Sequence, residues 1–269
     1  MQFLSFSFLA LFTLCFFLYY AVKGRARNLI LLVTSCIFIG WYYLPFLLTA
    51  VVVALFTFFW AQWMESRAKA GKKTKPVYIA GIIALIGGWL LLHGTVIDII
   101  FPLGMSFYTF QAISYLTDVY WQEQRSERNW VDFLIYMLFF MKFLSGPIER
   151  GGDLLPQLKD PRPFIYSNAV TGLKYILLGL IKKLLIANQI SPQTDVMFHS
   201  IHDLSGVQLL MTCLLYPIEL YADFSGYTDI AIGGAYMFGI KLSPNFNRPF
   251  AARSTADFWR RWHMSLSFW

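Results

Sequence analysis

The residues with the clearest chemical potential lie at Ser254–Trp269, STADFWRRWHMSLSFW, which contains His263. Ser254 and Asp257 have capping-box spacing, with Asp257 reaching back toward the Ser254 N–H. The helix this predicts carries Trp259, Trp262, His263 and Leu266 along one stripe. It pairs Asp257 with Arg261 four residues on, beside Arg260 on the charged face. His263 would then sit among indoles. Burial keeps an imidazole neutral, and a neutral imidazole can act as a general base. The same pattern also describes an interior histidine that is merely hydrogen-bonded.

A second group is acidic and lies in an apolar setting. Glu219 and Asp223 are four apart and share one face of a helix. Asp229 follows past Gly226 and faces another direction. Carboxylates exposed to lipid are costly, so these three predict a polar tunnel or chamber. Structural pairing with Arg260, Arg261 or Lys241 is the alternative. Gly226, Gly233, Gly234 and Gly239 would let helices approach closely.

Other motifs are weak. His93 reads as an interfacial residue. His199 and His202, with Asp195 and Asp203, read as a solvated loop, because a zinc site needs three or four convergent ligands. No metal and no cofactor is predicted. Gly151-Gly152 has no phosphate-loop context. There is no G-x-S-x-G nucleophile elbow. Cys15, Cys36 and Cys213 lack disulfide or zinc spacing and read as small buried hydrophobes.

The elements that must position these residues are apolar helices. Hydrophobic residues make up 57% of the 269-residue chain and charged ones only 14%. Mean hydropathy is +0.54. Soluble domains carry about 25% charged residues, so the composition points to a bilayer. A helix spans it with about 20 apolar residues. Segments 3–22, 28–44, 46–64, 76–93 and 97–121 fit, with an aromatic turn at Trp41–Pro45 that suits an interface. Segment 131–145 is short and holds Lys142, which predicts a tilted or re-entrant piece. Residues 146–168 read as a loop with an interfacial helix, 169–187 as helix, and 188–206 as polar loop. Segments 207–222 and 226–242 are apolar again. The prediction is one all-α, polytopic transmembrane helical bundle over residues 1–269. The net charge of +7 reflects short basic loops, so membrane topology and lipid contact explain it without nucleic acid. The N-terminus has no basic n-region and no small-residue cleavage site, which predicts a retained first span.

Four blocks resemble the membrane-bound O-acyltransferase family, in particular its alginate-type branch. They are PLGMSFYTFQAISYLTDVY (102–120), FFMKFLSGPIERGGDLLPQL (139–158), YADFSGYTDIAIGG (221–234) and NFNRPFAARSTADFWRRWHMSLSFW (245–269). The last is also similar to the D-alanyl transfer proteins of teichoic acid synthesis. Residues 1–101 match only as hydropathy. The resemblance implies a multi-pass protein of the plasma (inner) membrane. It implies transfer of an acyl group, acetyl in this branch, from a thioester or acyl-carrier donor to hydroxyls of a surface or exported polysaccharide such as alginate. Periplasmic or surface acetylation proteins would be its partners. D-alanyl transfer to teichoic acid, or a noncatalytic carrier or scaffold, is the alternative. His263 matches the earlier of two family histidines. The later one, in a Trp-His-Gly-like context, has no counterpart here. This leads us to expect a supporting role for His263 and a catalytic part beyond Trp269.

The basic loops 23–27 and 65–75 fall on one side if three spans precede the second. Both should be cytoplasmic and residue 1 external. Cysteines introduced at positions 24 and 70 of intact cells should resist a membrane-impermeant maleimide. External labelling at position 70 would refute this topology.

Overall fold

A computed structural model describes residues 4–92, 104–144, 146–160, 163–199 and 204–269. The described residues are helical or irregular, with no strand among them. The first helices are α1 (Phe6–Ala21), α2 (Ala26–Tyr42), α3 (Leu44–Lys69), α4 (Lys75–Leu90) and α5 (Met105–Tyr120). Then come the short α6 (Trp130–Leu138) and α7 (Gly151–Lys159). A long rod follows: α8 (Tyr166–Leu180), a π-helical turn (Ile181–Ala187) and α9 (Asn188–His199). The chain returns through α10 (Gly206–Met237) and closes with α11 (Thr255–Trp259) and α12 (Met264–Ser267).

Local signals explain the starts. Ser5 caps α1 by accepting the Phe8 N–H, and Asn129 caps α6 by accepting that of Val131. Ser205 and Gln208 close a reciprocal capping box on α10. Gly239 takes φ +78° just after α10, and the Ile240 and Gly239 N–H groups close onto Ala235 and Tyr236. That is a left-handed helix stop, so Gly239 ends a helix and does not serve close packing. One helix, α3, is long and apolar enough to cross a membrane by itself. Helices α1, α2 and α4 are apolar but 16–17 residues long.

Three expectations change. Residues 188–199, expected as loop, are helical despite Pro192. The expected break at 222–226 is absent, and α10 runs through Pro217 and Gly226 for 32 residues. Segment 131–145 is neither a span nor exposed to lipid over its described part: every residue from Asp132 to Phe143 is buried. Its irregular backbone after Leu138 is tolerated because protein encloses it. Ser35 Oγ accepts the Phe140 N–H at 3.1 Å, for example. His93, His202 and Asp203 lie outside the described residues.

The helices pack in two sets. Helices α1 to α7 surround the buried segment, while α8, the π turn and α9 pack along α10. The sets meet near the end of α10, where the Phe238 ring lies against Phe12, Phe16, Tyr19 and Phe140. The loop ends at 23–27, 65–75 and 121–129 gather at one end of the fold. Asn28 donates to Asp132 and to the Leu158 carbonyl, Lys159 pairs with Glu127, and Gln62 donates to the Glu127 carbonyl.

Helices α8 and α10 touch backbone to backbone. A Cβ on Gly172 would lie 2.5 Å from the Gly233 carbonyl, and one on Gly233 equally close to that of Gly172. Gly179 and Gly226 form the same reciprocal contact one heptad away. Only glycine permits this approach. We predict that Gly233→Ala destabilises the detergent-solubilised protein by about 1–3 kcal/mol through overpacking. Gly87 has open space around it, so Gly87→Ala should stabilise α4 by about 0.5–1 kcal/mol. Melting temperatures of the two variants should move in opposite directions.

Candidate active site

The helix expected over Ser254–Trp269 is broken in two at His263. Ser254 Oγ accepts the Asp257 N–H at 3.1 Å. The Asp257 carboxylate reaches the Arg253 N–H at 3.2 Å, one residue earlier than a capping box requires. It also holds Arg261 at 2.8 Å. His263 then takes the left-handed conformation, φ 44° and ψ 54°. That conformation costs a non-glycine residue about 1–2 kcal/mol. The preceding loop stabilises it. Asn245 accepts the Met264 N–H with its carbonyl (2.8 Å) and the Ser265 N–H with Oδ1 (3.2 Å), and Asn247 donates to the Arg261 carbonyl. Ser265 Oγ in turn accepts the Ile148 N–H at 3.1 Å.

This break separates His263 from the indoles. The Trp262 ring stacks on Phe258 and meets Phe246 edge-on, while Trp259 is exposed. The imidazole lies between Phe224 of α10 at 4.9 Å and Phe107 of α5 at 6.4 Å. Its Nδ1 is shielded from solvent and has no hydrogen-bond partner among the described residues. Phe224 and Phe107 belong to the two different helix sets, so His263 sits at their seam.

The tail beyond His263 follows α5. Trp269 Nε1 donates to the Phe110 carbonyl at 2.9 Å. Arg150 donates to the Phe268 carbonyl and pairs with Asp118 at 3.0 Å. A cavity of about 290 Å³ lies beside this tail, walled by Arg150, Asp153, Ser243, Met264 and Phe268.

The three membrane-type carboxylates have partners other than those expected. Asp229 pairs with Lys182 at 2.6 Å. Asp223 pairs with Lys183, and Glu219 accepts from the Thr194 hydroxyl. None of them pairs with Arg260, Arg261 or Lys241. All three meet the α8–α9 rod, and the two lysines lie in its π turn. Lys182 also lies 5.7 Å from the centre of the Tyr221 ring, which touches Trp262. The acidic row thus reaches the His263 neighbourhood through aromatic packing. Arg260 is exposed.

A buried polar cluster was not singled out from the sequence. Lys142, fully enclosed, donates to Gln111 and lies 5.6 Å from the Tyr136 ring centre. Tyr136 donates to the Glu149 carbonyl, and the Glu149 carboxylate takes the Ser243 N–H at 2.6 Å. A lysine within an apolar run was the available signal; its partners are distant in sequence. Among the described residues no group of three metal-binding side chains converges, and His199 is exposed with Nδ1 on the Asp195 carbonyl.

Residues 122–269 match the pattern of MBOAT, the membrane-bound O-acyltransferase family. The chain belongs to that family. It is similar to the probable alginate O-acetylase AlgI of Pseudomonas fluorescens, 35% identical over all of this chain and 55% of that protein. It is similar to the peptidoglycan O-acetyltransferase of Helicobacter pylori, 37% identical over 65% of this chain and 38% of that protein. The teichoic acid D-alanyltransferase of Bacillus subtilis is 32% identical over 62% of this chain and 43% of that protein. Similarity to the alginate-type members therefore includes residues 1–101, where motifs gave only hydropathy. The chain spans about half the length of the curated relatives it matches. As a member of the membrane-bound O-acyltransferase family it is a membrane protein, and its all-α architecture agrees with that membership.

The Lys182–Asp229 pair gives a direct test of the acidic row. Both side chains are largely enclosed. Lys182→Met should cost about 3–5 kcal/mol, because it strands a buried carboxylate. Lys182→Met combined with Asp229→Leu should recover most of that stability. A double-mutant cycle in detergent checks the sign, and strict additivity would refute the coupling.

Proposed function

We propose that the whole protein is a multi-pass O-acyltransferase of the plasma (inner) membrane. It moves an acyl group, acetyl on the strength of the alginate and peptidoglycan relatives, from a thioester or acyl-carrier donor to hydroxyls of a surface or exported polysaccharide. Extracytoplasmic acetylation proteins would be its partners. The observation that carries this reading is the unpartnered Nδ1 of His263, enclosed by Phe107 and Phe224 at the seam of the two helix sets.

Depth supports it. Asp118 and Arg150 pair at the end of the fold that carries the basic loops. Phe107 lies three helical turns earlier on α5, about 16 Å away at 1.5 Å per residue. Against a hydrocarbon core about 30 Å thick, that spacing supports a site near mid-membrane. A donor arriving from one side and a hydroxyl from the other could meet there. The carboxylates of the Lys182 and Lys183 ion pairs, Asp229 and Asp223, lie about 12 Å and about 21 Å before the end of α10 by the same rise.

In the reaction the hydroxyl oxygen attacks the thioester carbonyl, its proton passes to a base, and the C–S bond breaks. The leaving thiolate then takes up a proton. A neutral imidazole at His263 offers one hydrogen-bonding nitrogen to this exchange, alongside the later family histidine in the whole protein. His263 then supports the reacting groups, and the principal proton transfer belongs elsewhere.

In the full-length protein, His263→Ala should lower acetyl transfer about tenfold, the kinetic equivalent of ~1.4 kcal/mol. A principal base would give a loss of about 10²–10⁴-fold. His263→Gln should restore part of the activity through its amide. Unchanged turnover in His263→Ala would remove this residue from the site.

A further inference from the structure

Two clefts at the loop-bearing end of the fold join across Thr74 and Tyr120. One is polar, about 370 Å³, and includes Lys69, Gln122, Gln124 and Arg125. The other, about 630 Å³ and open to the side, has Lys73 and Lys75 at its mouth and Ile79, Ala80 and Ile83 along its wall. Ile79 and Ile83 are 44% and 65% exposed, so this wall faces outward along α4. The Tyr78 and Tyr120 rings stack at 4.3 Å beside the junction.

Charge at this place is one-sided. Lys72, Lys73 and Lys75 are exposed, and none forms an ion pair among the described residues. The acid in the polar cleft, Glu65, is already held by Lys69 at 2.7 Å and Arg128 at 3.0 Å. The site therefore offers excess cations next to an apolar strip that runs along a helix. Its chemistry is that of an anionic headgroup with an acyl chain attached.

We propose that these joined clefts bind one anionic phospholipid of the surrounding bilayer. Its phosphate lies between Lys73 and Lys75, and an acyl chain lies along Ile79 and Ile83. The site is remote from His263, and it rests on membership of a membrane family, not on the acyl-transfer reading. Bound there, the lipid ties α4 to the 121–129 loop.

The test uses the purified full-length protein and phosphatidylglycerol, with phosphatidylcholine as the neutral lipid. Native mass spectrometry after detergent exchange reads the retained lipid, and a melting curve checks folding. Phosphatidylglycerol should be retained in preference to phosphatidylcholine. Each lysine near an anionic headgroup contributes about fivefold, so K73Q/K75Q should weaken retention about 25-fold. K23Q/R25Q, on another loop at the same end, should leave retention unchanged. I83S should weaken it with no change of charge, and inorganic phosphate should fail to displace it. Equal retention of the two lipids would overturn the site. So would an equal loss in K23Q/R25Q, which would mean general surface charge. Displacement by phosphate with no effect of I83S would mean a free-anion site and would overturn the lipid assignment.

Discussion

An irregular stretch of backbone carrying a lysine lies inside an apolar protein, and its polar groups must all find partners there. Residues 132–143 are buried throughout, and Lys142 is among them. An unsatisfied buried amide or charge costs several kcal/mol, so the surroundings are built to meet these groups. Gln111 of α5 takes the lysine and also donates to the Tyr136 carbonyl at 2.6 Å. Ser35 of α2 takes a freed N–H. Met141 reaches Gly234 on α10, where a Cβ would collide with it. The stretch continues to Ile148 and Glu149, which engage Ser265 and Ser243. One strand of irregular chain thus connects the first helix set, the second set and the turn that holds His263.

The two sets differ in what holds them. In α1–α7 the core is aromatic and aliphatic side chains, with Phe133, Tyr136, Phe139 and Phe140 fully enclosed. Burying such a side chain is worth about 1.5–3 kcal/mol each against water. Within a bilayer that drive between helices is weak, and close packing and polar contacts replace it. The rod of α8, the π turn and α9 shows those replacements against α10: two reciprocal glycine contacts, two ion pairs and the Thr194–Glu219 hydrogen bond. The π turn at 181–187 lets neighbouring Lys182 and Lys183 both reach carboxylates on one partner helix.

Apolar run length located helices α1 to α5 to within a few residues over their described parts, because twenty apolar residues in a row have few alternatives. The acids of α10 were readable as polar groups needing partners, since Glu219 and Asp223 stand in apolar sequence. Their partners were not readable. Lys182 and Lys183 lie about forty residues away, and pairing them requires knowing that two glycine heptads align antiparallel. The break at His263 was invisible for a similar reason. Trp259, Trp262 and Leu266 keep perfect helical spacing, but Asn245 and Asn247 compete for the same backbone groups and win. Residues 188–199 misled through composition: polar side chains and Pro192 suggested loop, while Thr194 meeting Glu219 helps keep them helical.

The spacing of the glycine contacts has a mechanical meaning. Gly172 and Gly179 face Gly233 and Gly226 at seven-residue intervals. The next register with glycine against carbonyl lies one heptad along, about 10 Å at 1.5 Å per residue. Any smaller slide drives a side chain into a neighbouring backbone. Helices α8 and α10 are therefore keyed to each other against lengthwise creep. Phe224 rides on α10 and faces His263, so any shift of α10 against the first set carries α8 with it and alters the gap around the imidazole.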